Sequence, residues 1–75
     1  MSEADKMFKE LGYKKYESEI EIKYIFEGVD TIIFEKRLKD IKLYRWNDSA
    51  RVLYKSLNMQ ELKAINKKCE ELGWL

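Results

Sequence analysis

The chain has 75 residues, with 15 lysines and arginines against 14 acids and no histidine, for a net charge of +1. One cysteine and three isolated glycines exclude a disulfide staple, a thiolate zinc site and a phosphate-cradling glycine loop, and the absence of proline speaks against long ordered loops or a linker. The missing histidine also excludes Ser-His and Cys-His nucleophile pairs, so the chain is expected not to be an enzyme and to have no catalytic, cofactor-binding or metal site.

This length fits one domain over 1–75, which buries only about 60% of its unfolded surface. No stretch resembles a signal peptide, and no apolar run nears the roughly 20 residues of a membrane span. The lone Cys69 fits a reducing compartment, and a cytoplasmic, non-membrane protein is expected. The charge is uneven: residues 1–35 balance at −4, residues 36–55 at +5 and residues 56–75 at zero.

In chain order, Ser2 to Leu11 predicts a short helix. Ser2 caps it, Glu3 and Asp5 suit the first turn, and Ala4, Met7, Phe8 and Leu11 form its apolar stripe. Gly12 stops it and sets Tyr13 over Phe8. Tyr13 to Glu17 reads as a strand and Glu17-Ser18-Glu19 as a turn. Ile20, Ile22, Tyr24 and Phe26 then alternate with Glu21, Lys23 and Ile25, the period of a half-buried strand. Glu27-Gly28-Val29-Asp30 turns the chain. A third strand is predicted from Thr31 to Leu38, with Ile32, Phe34 and Leu38 on one face. Lys39-Asp40 reads as a two-residue connection. Ile41 to Trp46 follows, with Ile41 and Leu43 opposite Lys42, Tyr44 and Trp46. Asn47-Asp48-Ser49 reads as a turn, and Arg51 to Lys55 as a last short strand.

A second helix is predicted from Leu57 to Trp74. Asn58 and Glu61 have the spacing of a capping box, and Leu57 and Leu62 that of a hydrophobic staple. Met59, Leu62, Ile65, Cys69 and Leu72 form its apolar stripe, leaving Lys63, Lys67 and Lys68 on the polar side. Gly73 ends it, with Trp74 over Cys69. Cys69 is on the stripe and reads as a buried structural thiol. The two endings, Leu11-Gly12-Tyr13 and Leu72-Gly73-Trp74, read as one stop signal used twice, not as a repeat.

Sequential strands with short turns predict an antiparallel β-meander of about four strands in an α+β domain, order α-β-β-β-β-α. Its core side carries Ile20, Ile22, Tyr24, Phe26, Ile32, Phe34, Ile41 and Leu43. The second helix lies across that side, and the first packs there too or at the sheet's end.

Glu17, Glu19 and Glu21 have strand spacing, but a solvated face with lysine partners is the simpler reading than an acid–base site. The stretch from 36 to 55 carries the functional signal. Lys36, Lys42, Arg45 and Arg51 are interleaved with Tyr44 and Trp46, forming the candidate binding surface. Two partners fit. A protein partner, the chain itself in the simplest case, would use Tyr44, Trp46 and Ile33 as an apolar patch. Single-stranded nucleic acid would stack on the aromatics and pair with the cations. The near-neutral total charge weighs against the second.

Met7-Phe8 with Leu11-Gly12-Tyr13, then Ile32-Ile33-Phe34-Glu35-Lys36, then Met59 to Ile65 and Glu71-Leu72-Gly73-Trp74 together resemble small uncharacterised proteins from phages and prophages of Gram-positive bacteria. The resemblance covers most of the chain. It implies a cytoplasmic product with a phage or host protein as a further partner, and it carries no site residues.

Overall fold

The computed structural model describes residues 2–47, 50–52 and 56–75. Helix α1 (Glu3–Glu10) is followed by strands β1 (Tyr13–Glu17), β2 (Glu21–Phe26), β3 (Asp30–Glu35), β4 (Asp40–Asn47) and β5 (Ala50–Val52), and by helix α2 (Met59–Glu71). Each strand pairs antiparallel with its successor, giving one sheet of order β1-β2-β3-β4-β5. This is the expected α+β meander with the short fifth strand added. The turn read at Asn47-Asp48-Ser49 falls largely outside the described residues, as do residues 53–55 of the last predicted strand.

The local signals act as read. Ser2 Oγ accepts from the Asp5 amide at 3.0 Å to start α1. Asn58 and Glu61 form the reciprocal capping box of α2, at 2.8 and 3.0 Å. Gly73 takes φ +76°, and the Trp74 amide reaches back to the Cys69 carbonyl at 2.8 Å. Gly12 takes φ +98° and is tighter: a Cβ there would sit 2.9 Å from the Phe26 ring. The two stops share a spelling, but only at the first does the glycine itself lie against a side chain of the sheet.

Both helices lie on one face of the sheet. Phe8 of α1 stacks on Tyr24 at 3.9 Å between ring centres and meets Tyr13 and Phe34 edge-on. Ile22, Ile32, Ala64, Ile65 and Cys69 complete the buried cluster, with Phe26, Leu43, Leu72 and Trp74 packed around it.

Several expectations are corrected. Ile20 and Ile41, read as core, are 47% and 37% exposed. Ile20 sits in the β1–β2 turn, and Ile41 lies opposite Phe34 on the next strand out. Leu38, placed at the end of the third strand on the face of Ile32 and Phe34, is 70% exposed. The third strand stops at Glu35, because Glu35 Oε1 accepts from the Arg37 and Leu38 amides and Lys39 adopts φ +56°. A four-residue turn at 36–39 replaces the two-residue connection. On α2, the buried residues are Glu61, Ala64, Ile65, Lys68 and Cys69, while Met59 and Leu62 stay exposed. The buried face is rotated from the apolar stripe toward two charged residues, each of which finds a partner across the core.

Those partners are specific. Asp5 Oδ1 accepts from the Tyr24 hydroxyl at 2.6 Å and the Lys68 ammonium at 3.2 Å, and Oδ2 accepts from Lys15 at 2.8 Å. One carboxylate thus joins α1, β1, β2 and α2. Burial alone would raise the Asp5 pKa, but these three donors outweigh it and hold it well below the usual carboxylate range. At the other end of α2, Glu61 Oε1 completes the capping box and Oε2 accepts from the Tyr13 hydroxyl. Burial, then the Glu61 carboxylate, pushes the Tyr13 pKa up; burial, then Asp5, does the same for Tyr24.

Candidate interaction surface

Because side chains alternate along a strand, helices on one face leave the other to the odd-numbered residues of β2 and β3 and the even-numbered residues of β1 and β4. The pairing registers arrange these into rows across the sheet. One row runs Lys14, Ile25, Thr31, Tyr44, and the next runs Tyr16, Lys23, Ile33, Lys42. The third is acidic: Glu21, Glu35 and Asp40 stand opposite one another on three adjacent strands. At the opposite end, the Trp46 amide donates to the Val29 carbonyl at 3.1 Å. This outer face is therefore graded, from aromatic and aliphatic at Val29 and Trp46, through a basic row, to an acidic one.

The six candidate residues do not form one patch. Lys42 is exposed and shares the outer face with Tyr44 and Trp46, as the alternation requires. Trp46 is 46% exposed, but Tyr44 is 6% exposed and cannot offer its ring face to a base. Arg45 projects from the helix-covered face and makes a two-pronged contact with Asp30, Nε to Oδ1 at 2.8 Å and Nη2 to Oδ2 at 3.2 Å. The bond to Asp30 raises the Arg45 pKa still further. Lys36 leaves the 36–39 turn to meet Glu17 Oε2 at 2.9 Å and the Ser18 carbonyl at 2.8 Å. Arg51 is on β5, opposite Trp46. Two of the cations expected at a binding surface are thus engaged by acids within the chain. The Glu17, Glu19 and Glu21 series is dispersed: Glu17 faces the helices, Glu19 lies in the turn, and Glu21 faces out beside Lys23 at 3.2 Å.

Several outer-face residues were missed as members of one surface: Tyr16, 53% exposed, the half-buried Ile25, Val29, and the acidic row. Alternation within each strand assigns their face, but the rows exist only through inter-strand register. Thr31 is also unusual. It is 3% exposed on the outer face, and its Oγ1 has no hydrogen-bond partner among the described residues.

Among the described residues, no group of three or more acids or cysteines is arranged to hold a metal ion, and no helix is long and apolar enough to cross a membrane. Cys69 is buried, and that burial raises its thiol pKa, leaving it protonated and unreactive at neutral pH. Comparisons with protein-family models, curated proteins and solved structures gave no match.

Proposed function

We propose that this is a non-enzymatic cytoplasmic interaction module that associates with a second copy of itself through the outer face of its sheet. The observation that carries the reading is the pairing of rows on that face: the acidic Glu21, Glu35 and Asp40 lie beside the basic Lys23 and Lys42. A two-fold axis lying in the interface, parallel to the sheet and running between these rows, sets the cations of each copy over the acids of the other, an isologous and self-complementary contact. Ile33, between Lys23 and Lys42, supplies the apolar centre. The resemblance to phage and prophage proteins adds a host or phage protein as a heterologous occupant of the same face.

Single-stranded nucleic acid is the second reading, favoured by Trp46 lying exposed on the same face as Lys42. The acidic row weighs against it, since phosphates tracking that face would meet three carboxylates. Light scattering over a concentration series decides between them. The expected result is a mass rising toward twice that of the chain, with Ile33→Asp held as a monomer. Oligonucleotide is expected not to bind even at about 50 mM salt, where phosphate contacts are strongest. A monomer at the highest concentration, or tight oligonucleotide binding lost with added salt, overturns the proposal.

A further inference from the structure

Strand β1 ends the sheet, pairing with β2 on one side only. The phase of the ladder tells which of its backbone groups are free. The Ser18 amide donates to the Glu21 carbonyl at 2.9 Å, while the Lys36 amide donates to that of Ile20. The odd residues of β2 therefore bond to β1 and the even ones to β3. Hydrogen-bonded pairs alternate in an antiparallel ladder, so Lys14 and Tyr16 face β2, while Lys15 and Glu17 project N–H and C=O toward the open edge.

An open groove of about 460 Å³ runs along this edge, between Asp5, Phe8 and Lys9 on α1 and residues 13–16 on β1. A groove walled by four consecutive strand residues must look onto the backbone, because their side chains leave by opposite faces. Its floor is the stacked Phe8–Tyr24 pair. Lys9 and Lys14 stand exposed at its rim with no ion-pair partner among the described residues, whereas Lys15 is tied to Asp5 and Glu17.

We infer that the β1 edge and its groove accept an extended acidic segment of a partner protein, which adds to the sheet as a further strand. The backbone of Lys15 and Glu17 supplies the main-chain bonds, the groove over Phe8 takes an apolar side chain, and Lys9 and Lys14 pair with flanking acids. Lysines on an edge strand repel basic strands and so discourage indiscriminate edge pairing; an acidic strand turns the same charges into attraction. This edge meets the outer face at Lys14 and Tyr16 but does not include Ile33, so Ile33→Asp breaks the self-association reading without touching the edge and keeps the two distinguishable.

The test uses a labelled peptide of alternating glutamate and valine with the full chain. Fluorescence anisotropy gives affinity, and backbone amide shifts give location. The expected result is saturable binding with shifts centred on Lys15 and Glu17, weakened about fivefold by Lys14→Glu and unchanged by Ile33→Asp. The same peptide N-methylated at alternate residues keeps its charge but cannot donate to a strand, and is expected not to bind. Equal binding of the methylated peptide, shifts confined to the outer face, or an oligonucleotide displacing the peptide from β1 would overturn the inference, as would no anisotropy change.

Discussion

The two faces of the sheet are made from similar residues and solve different problems. On the covered face, charged and polar groups are few, and each is matched. Asp5 takes three donors, the two Glu61 oxygens take different donors, and Lys68 is held between Asp5 and Glu71. On the outer face, Glu21, Glu35 and Asp40 stand like beside like, Lys23 and Lys42 flank Ile33, and the hydroxyl of Thr31 is buried with no partner among the described residues. Like charges directly opposite on neighbouring strands are mildly destabilising. The covered face is therefore arranged for the stability of the single chain, whereas the acidic row of the outer face costs the single chain a little.

Substitutions can break that contrast at its strongest point first. Phe8→Ala removes the ring on which Tyr24 stacks and should cost about 3–5 kcal/mol by urea denaturation. Asp5→Ala leaves Lys68 buried without its nearest acid and should cost about 3 kcal/mol. Lys68→Met should cost less, since Lys15 and Tyr24 still satisfy Asp5.

Acid titration sharpens the same point. The folded pKa of Asp5 is depressed, so its contribution is complete above its unfolded value near about 4 and is lost as pH falls through the folded value. The natural chain should lose stability on acidification below about pH 4, and Asp5→Ala should show a shallower loss. At the alkaline end, Tyr13 and Tyr24 have raised pKa values, so their contribution is complete below about pH 10 and falls as pH rises beyond it.

The two helix stops give a matched pair. Gly73→Ala meets no neighbour and should cost about 1 kcal/mol for its left-handed backbone. Gly12→Ala must also displace the Phe26 ring, and thermal denaturation should show it to be clearly the worse of the two. The smallest effect has the opposite sign. Thr31→Val removes an unsatisfied buried hydroxyl at nearly constant shape and should be neutral or stabilise by up to about 1 kcal/mol. A marked loss of stability there would mean that the outer face is as fully matched as the covered one.

What could be read from the chain alone follows the range of each interaction. Helix caps, glycine stops and strand alternation are decided within a few residues, and Ser2, Asn58, Gly12 and Gly73 do as their neighbours imply. The buried side of α2 could not be read so. Glu61 and Lys68 look like solvent-facing residues until Tyr13 and Asp5, 48 and 63 positions away, are brought to them. Leu38 misleads because the Glu35 side chain captures the next turn's amides. For the candidate surface, alternation correctly placed Lys42, Tyr44 and Trp46 on one face. Neither the burial of Tyr44 nor the acidic row was visible, because both depend on which residues stand opposite on the next strand.

The tie between Asp5 and Lys68 also bears on the order of folding. Every strand pairs with its sequence neighbour, so the sheet can zip from local turns with little loop entropy to overcome. The α1–α2 contact instead spans almost the whole chain, and the Glu71 carboxylate accepting from the Ala4 amide at 2.9 Å closes a separation of 67 residues. Such a contact is expected to form late, on an assembled sheet. Substituting Glu71 is then expected to speed unfolding much more than it slows folding, as for a latch on the native state.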